Sequence, residues 1–512
     1  MKNTFTQSMS WLHTWGGLIF GWLLFAIFVT GTLAVFDKEL NHWMQPEIPA
    51  AEVSQADAAR RAIAYLQANQ AQADNWGISL PTERAPGLSV STGDRRHGGG
   101  VQLDPQTGAP IEVRESVGGN FFFRFHFTLD LPRNWGIFVV GALALVMLAG
   151  LISGIVIHKK IFKEFFTFRP DKGQRSWLDF HNASAVLLLP FHLMITYTGL
   201  VIFMMIYIPA GVDALFDGDK RAYFQAQGNA RTEQPQQRRQ AKTPGELVDV
   251  APLLAQAEAS LGPIGGLSIR NPNTAGARIE IRPVLGNRIA LTKGNAMVFD
   301  GVSGKLLSDV PALRPAPLTQ RVMAGLHFAQ FGGYPMRWLY FICGLVSCAM
   351  IASGLVLFCL KRGRKYANAS ADRAARRWYR LAEVCNIGFI AGLLLACVGL
   401  LWASRLLPAE LAHREAWEVR AFFGLWLLAV LHAGLRPAKR AWVEQLALTA
   451  VMCGGLGVLG ALAGGADNLR LGVELTGLAV GVGLAVAAWR VASRKPAPAK
   501  ARAARNTEVE AC

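Results

Sequence analysis

Cysteine is missing where a secreted framework would need it. The seven cysteines (343, 348, 359, 385, 397, 453 and 512) fall in or near long apolar runs or at the C-terminal tail, and the polar segments 37–136 and 209–336 contain none. That excludes a disulfide framework in those segments, and with no CxxC in the chain a thiolate metal site is excluded too. No P-loop, HExxH or nucleophile elbow occurs. Gly455, Gly457 and Gly460 spell GxGxxG, but they follow no strand pattern and lie inside an apolar run. They read as helix packing, not as a dinucleotide fingerprint. The chain therefore has no recognisable flavin or nicotinamide module. No charged pair sits in the middle of an apolar run either, which weakens a reading as a transporter built on repeats.

What is present is apolar length. Hydrophobic residues make up 52% of the 512. With about 20 apolar residues per crossing, candidate spans are 15–36, 137–157, 182–208, 337–360, 385–404, 420–435, 441–464 and 470–490. Only helices satisfy their backbone polar groups within one segment in lipid. The expected fold is an α-helical polytopic membrane protein with about eight transmembrane helices, two small α+β modules and an internal duplication.

The net charge of +17 is not spread as a nucleic-acid surface would be. It collects in alternate loops: Lys159, Lys160, Lys163, Arg169, Lys172 and Arg175; then 361–384; then Arg436, Lys439 and Arg440; then the tail 491–512. Basic loops stay cytoplasmic. Both termini are therefore expected inside, the two polar segments outside, and the tail in solvent or against anionic headgroups. The N-terminal apolar run is too long for a cleaved leader, and no small-residue cleavage site precedes Phe36-Asp37-Lys38, so it is expected to stay as a helix.

One unit is written twice. His13 is followed 17 residues on by Thr30-Gly31, and His181 by Thr198-Gly199. His126 is followed 27 residues on by Ser153-Gly154, and His327 by Ser353-Gly354 after 26. Between them, Asp104-Pro105-Gln106-Thr107-Gly108 matches Asp300-Gly301-Val302-Ser303-Gly304, an Asp-opened turn with Gly at the positive φ. Each unit is helix, outer module, helix: 1–160 with a module at about 37–125, and 176–362 with one at about 209–325. A Gln/Arg-rich stretch, 225–242, reads as a loop in the second. Residues 385–490 form a four-helix membrane unit with no third copy.

An ionisable group in a span marks function by default. His13 and His181 start outward-running helices; His126 and His327 precede inward-running ones. Pseudo-symmetry brings each equivalent pair together, and two facing imidazoles suit a six-coordinate b-type haem. The expectation is two haems, bound by His13/His181 and His126/His327. His192 lies 11 residues from His181 on nearly the same helical face, and its counterpart is Leu24. Asymmetric ligation and a buried hydrogen bond both fit it. His158 corresponds to Phe358 and fits an interfacial group or a ligand; His42, His97, His413 and His432 read as surface or structural. Arg124, Arg133, Arg321 and Arg337 flank the outer histidines, where they fit haem propionates, an anionic substrate or ordinary interfacial cations. Trp11, Trp15, Trp135 and Trp338 read as interface anchors.

The pieces "WLHTWGGLIFG", "VQLDPQTG", "FRFHFTLD", "LDFHNASAVLLLPF…YTGL" and "LHFAQFGG…RWLY…ASGLVL" resemble, in this order, the PepSY-associated transmembrane helix family of bacterial inner-membrane proteins. The resemblance covers about residues 8–362. It implies a haem b protein of the inner membrane, similar to siderophore-iron reductases, that passes electrons to a ferric siderophore or other ferric chelate outside. A separate donor, quinol or a cytoplasmic reductase, would supply them. Carried over, the family's histidines fall on His13, His126, His181 and His327. The rival from another class is a regulatory protein without redox chemistry whose PepSY-like modules bind a peptide or a protease.

Overall fold

The structure is a computed structural model that describes residues 4–50, 52–93, 100–158, 169, 172–219, 222, 243–292, 294–310, 313–366, 373–464 and 467–494. Most of the basic loop 159–175, the stretch 225–242, His97 and nearly all of the tail lie outside the described residues.

Apolar composition and capping set the first helix. Thr4 accepts from the Gln7 backbone N–H at 3.3 Å while the Gln7 side chain accepts from Thr4 N–H at 3.0 Å, a reciprocal cap that starts α1 (Phe5–Ala34). A short α2 (Asp37–Met44) follows. The first polar module is α3 (Gln55–Asn69) with strands β1 (Asn75–Ser79), β2 (Leu88–Thr92), β3 (Val101–Leu103) and β4 (Pro110–Ile111). Then come α4 (Asn120–Thr128) and the long α5 (Arg133–Ile157).

The second unit runs α6 (Gln174–Leu187), α7 (Leu189–Ile202), α8 (Met204–Tyr207), α9 (Ala210–Phe216), α10 (Ala251–Leu261), β5 (Ile264–Arg270), β6 (Arg278–Pro283), β7 (Met297–Asp300), β8 (Leu306–Ser308), α11 (Pro315–Phe328) and α12 (Gly333–Tyr366). The C-terminal helices are α13 (Arg373–Leu406), α14 (Arg414–Leu435), α15 (Ala438–Gly454), α16 (Leu456–Ala463) and α17 (Asn468–Ser493). Among the described residues seven helical spans are long and apolar enough to cross a membrane, α15 and α16 counting together. The chain is a multi-pass α-helical membrane protein with a small antiparallel sheet.

The expected third span, 182–208, is not one helix. It is α6 and α7, bent by 64° about Leu188. Pro190 explains the break. It has no N–H to give the Val186 carbonyl, and its ring crowds the preceding turn.

The two polar modules read from the sequence are joined. Their strands form one eight-stranded sheet in the order β4-β3-β2-β1-β5-β6-β7-β8. The halves join where β1 runs antiparallel to β5, with Gly77 opposite Ser268 and Ser79 opposite Gly266. Both repeated turns are present. The Asp104 carboxylate accepts from the Gln106 and Thr107 backbones and Gly108 sits at φ 76°. The Asp300 carboxylate accepts from the Val302 and Ser303 backbones and Gly304 sits at φ 72°.

Period-2 alternation sorts the sheet faces. Trp76, Ile78, Val90, Leu267, Ile269 and Ile279 are buried against α3 and α10. The alternate residues form the opposite face, described below.

The C-terminal helices grip the first repeat at three heights. In the apolar layer the Trp22 indole donates to the Asn386 side chain at 2.8 Å. On α2, His42 bonds Asp467 at 2.8 Å and the Trp43 indole donates to Glu474. At the linker before α4, the Glu418 carboxylate accepts from Ser116 Oγ and Val117 N–H, each at 2.9 Å, while Arg414 donates to the Glu115 carbonyl at 2.7 Å. Arg414 and Glu418 are 0% exposed and pair with each other.

Breaking a buried pair by removing one partner costs about 3–5 kcal/mol, because the remaining charge is left unpaired. Glu418→Ala should therefore lower the thermal unfolding midpoint in detergent markedly, and the double variant Arg414→Met/Glu418→Leu should lose less. Equal midpoints for wild type and Glu418→Ala would contradict the buried clamp.

Candidate functional site: two facing histidine pairs under a polar roof

Each repeat anchors its own two histidines. His13 on α1 reaches α5: its Nδ1 is 3.0 Å from the Gly150 carbonyl and 3.1 Å from Ser153 Oγ. His181 on α6 reaches α12 in the same way, 2.9 Å from the Met350 carbonyl and 3.3 Å from Ser353 Oγ. His126, in the last turn of α4, lies 2.8 Å from the Ile27 carbonyl on α1. His327, in the last turn of α11, lies 3.1 Å from Thr198 Oγ1 on α7.

Those partners assign the tautomer. A carbonyl only accepts, so Nδ1 of His13, His181 and His126 carries the hydrogen. The Thr198 hydroxyl already donates to the Met194 carbonyl at 2.7 Å, so His327 Nδ1 is the donor there as well. All four Nε2 atoms are then bare lone pairs, and among the described residues none has a hydrogen-bond partner. Ligating histidines are held like this, with the second ring nitrogen fixed by a carbonyl or hydroxyl.

Across the repeat interface the rings meet in two pairs. The centroids of His13 and His181 are 6.3 Å apart, and those of His126 and His327 are 5.9 Å apart. A metal–imidazole bond of about 2 Å, with the centroid roughly 1 Å behind the nitrogen, puts two trans imidazoles about 6 Å apart. The spacing and the donor set fit a group whose iron takes one imidazole on each side. Among the described residues no cluster of three or more His, Cys, Asp or Glu side chains is placed to hold a bare metal ion.

The repeated small residues now have a reason. A Cβ on Gly31 would stand 2.6 Å from His126 Nδ1, and one on Gly199 2.9 Å from His327 Cε1. At Gly354 it would meet His181 Cε1 at 3.0 Å, and at Gly154 His13 Cε1 at 3.4 Å. Every glycine of the Thr-Gly and Ser-Gly pairs faces an imidazole of its own repeat. The sequence pattern carries the spacing but not the contact, since ordinary helix packing also places glycines in spans.

His192 and His158 join neither pair. His192 is 0% exposed and bonds Ser347 Oγ through Nε2 at 2.9 Å. His158 closes α5 with no other imidazole in ring contact among the described residues. The flanking arginines also separate. Arg124 pairs with Asp130 at 3.6 Å, and Arg133 is exposed. Burial raises the Asp130 pKa from its ordinary value, and Arg124 opposes this. Arg321 donates to the Asn295 side chain, and burial lowers its pKa. Arg337, 7% exposed, donates to the Gln330 carbonyl and lies over the Tyr334 ring; among the described residues its Nε has no partner and it makes no ion pair, with Glu39 and Asp37 near enough to act on it through space.

These arginines and the His126/His327 pair line a cavity of about 2900 Å³ between the membrane helices and the sheet. Small-molecule sites run to about 300–1,000 Å³, so the chamber takes something bulkier, or more than one group. Its roof is the sheet face left after alternation. Across neighbouring strands it presents Gln102, Ser89, Ser79, Gly266, Ser268 and Arg282. Sequence reasoning missed this roof, because it exists only once β1 and β5 pair.

The sequence profile of the PepSY-associated TM region matches residues 10–362. The chain belongs to the PepSY-associated TM family. The match includes both histidine pairs and the whole sheet, and leaves α13–α17 outside. An uncharacterized protein of Pseudomonas aeruginosa is 25% identical over 302 residues, covering 56% of this chain and 72% of that one.

The glycine contacts give the family geometry a direct check. Gly31→Ala and Gly199→Ala force an imidazole to move and should destabilise by about 1–3 kcal/mol. Gly16→Ala, with nothing within 4 Å of its Cβ, should be neutral or stabilising, as expected for Gly→Ala in a helix. Differential scanning fluorimetry of the three variants reads the order, and a midpoint for Gly31→Ala at or above that of Gly16→Ala would contradict the contact.

Proposed function

We propose that this protein is a haem b-containing oxidoreductase of the bacterial inner membrane that delivers electrons to a ferric siderophore or another ferric chelate on the sheet side. The observation that carries the reading is the pair of facing imidazole sets, each with Nδ1–H committed to the protein and Nε2 bare. Two unprotonated nitrogens on rings whose centroids are about 6 Å apart suit a cation held between them. Haem iron, when bound, supplies one-electron transfer, and six-coordination by two histidines favours that over oxygen chemistry.

The chain's own residues do the rest. His13 and His181 hold one site, His126 and His327 the other, and the four glycines keep the ring positions clear. The Ser/Gly roof offers hydroxyls and close backbone approach to a polar, oxygen-rich ligand. Arg337, which forms no ion pair among the described residues, can attract an anionic chelate, with Arg321 beside the chamber. The docking site lies between the two halves of the joined sheet and the His126/His327 pair. Reduction weakens such a chelate, because Fe(II) is a poorer partner than Fe(III) for hard oxygen ligands. The donor is a separate molecule, membrane quinol or a cytoplasmic reductase. With basic loops inside, the sheet faces the periplasm and both termini the cytoplasm.

The visible spectrum of the purified protein is the first test. A b-type Soret band is expected; a colourless protein moves the weight to the regulatory reading, with the roof as a peptide surface. His181→Ala should remove part of the haem and leave the rest. Wild-type haem content in all four single His→Ala variants would refute the ligand assignment. Chemically reduced protein should be reoxidised faster by a ferric siderophore than by its gallium analogue, and Arg337→Gln should slow the ferric reaction. Reporter fusions after Lys160 and Gly211 should read cytoplasm and periplasm.

A further inference from the structure

The chamber has two unlike sides. Along one of them five rings follow one another from α11 through α4 to α8: Phe328, Phe123, Phe127, Phe203 and Tyr207. Their centroids are 5.9, 5.3, 6.0 and 6.3 Å apart in that order. These are the distances of rings in attractive contact, so the five make one continuous aromatic surface. All five line the cavity, and all stay partly exposed. Ring surface left open to a chamber forgoes the stabilisation of burial, and a ligand that covers it recovers that.

The duplication shows that packing does not require this row. The step of 168 from His13 to His181 matches Phe203 to Val35 and Tyr207 to Glu39. The step of 201 from His126 to His327 matches Phe123 to Ala324, and only Phe127 and Phe328 correspond to each other. The same places in the other repeat thus hold a valine, an alanine and a carboxylate. Glu39 pairs there with Arg84 at 2.7 Å, and Arg84, Asp37 and Arg337 line the cavity. One side of the chamber is aromatic and the other is charged.

Tyr207 ends the row in a fitted seat. Its hydroxyl donates to the Ile137 carbonyl at 3.3 Å. Gly141 makes room for the ring, since a Cβ there would stand 2.5 Å from Tyr207 Cζ. The step of 200 from Ser153 to Ser353 matches Gly141 to Phe341, so space for this ring exists in one repeat only.

We propose that the aromatic row is a stacking subsite, and that the ligand of the chamber carries a flat aryl ring beside its oxygen donors. This rests on the reading of the chamber as a chelate site, and it narrows that class to aryl-bearing ferric chelates such as phenolates, catecholates and aryl hydroxamates. The ligand ring lies against Phe127 and Phe203, whose planes are 28° from parallel. Its metal-binding oxygens face the hydroxyls of the roof and the charged side. Ligand sites commonly combine such an aromatic lining with a few polar groups that fix orientation.

Isothermal titration of the full-length protein with three gallium(III) tris-hydroxamates tests it. The benzohydroxamate, cyclohexanecarbohydroxamate and acetohydroxamate complexes share one coordination sphere and zero charge, and gallium(III) takes no electron here. Phenyl and cyclohexyl are both apolar and of similar bulk, so a preference between them reads stacking and not partition. The phenyl complex should bind about two- to tenfold tighter than the cyclohexyl one, the worth of an aromatic pair beyond its buried area. Phe127→Leu and Phe203→Leu should each reduce that preference and leave the methyl complex unaffected, with the unfolding midpoint and visible spectrum of wild type. Equal affinity for the phenyl and cyclohexyl complexes in wild type, or a preference unchanged in both variants, would overturn the subsite alone. Failure of all three complexes to bind would overturn the chelate reading with it.

Discussion

An imidazole among apolar helices must place its N–H on an acceptor, and that requirement organises the two repeats. The acceptors are backbone carbonyls and a threonine hydroxyl whose own hydrogen is already in use. Each fixes Nδ1 as the protonated nitrogen and turns the free lone pair away. A side chain opposite the ring would close that position, so glycine stands there four times. The duplicated pattern is thus a set of constraints for holding one ring orientation. Joining the repeats along β1 and β5 brings the two halves of each pair together.

Much of this was readable in the residues, and the limits have physical causes. The 17-residue step from histidine to Thr-Gly is visible because both ends lie on one helix, whose geometry is regular. The ring contact of Gly31 with His126 links two helices with a module between them, and spacing cannot reveal which helices touch. The bend at Leu188 had a signal in Pro190, yet a proline inside an apolar run fits a kinked span as well as a broken one. The β1–β5 junction left no trace, because strand pairing is made by backbone groups every sequence shares. Arg414 and Glu418 look like an ordinary surface pair four residues apart. Only the fold shows that both are buried on a linker from the other end of the chain.

The two repeats are alike in the ligand frame and unlike around it. The first has its α4 packed into Phe422, Phe423 and Trp426 through Phe121 and Phe125, with Phe121 and Phe422 centroids 4.9 Å apart. The second carries the bent α6–α7, the buried bond between His192 and Ser347 and the longer α11. Symmetry is kept where two rings must meet and relaxed where each half has its own neighbours. The chamber takes its chemistry from both: a roof shared across the axis, and a floor where Arg337 has no counterpart.

The clamp between residues 115 and 414 also sets an order in time. Arg414 is 299 residues further along the chain than the carbonyl it holds. At roughly 5–20 residues per second of synthesis, the linker before α4 waits some 15–60 s for its lock to be made. For about the first half of that interval, until β5 (Ile264–Arg270) is made, the first sheet half has β1 as an open edge. The nascent protein is therefore most vulnerable to wrong strand pairing early. The helices that complete it arrive last, after both halves of the sheet are on the same side of the membrane.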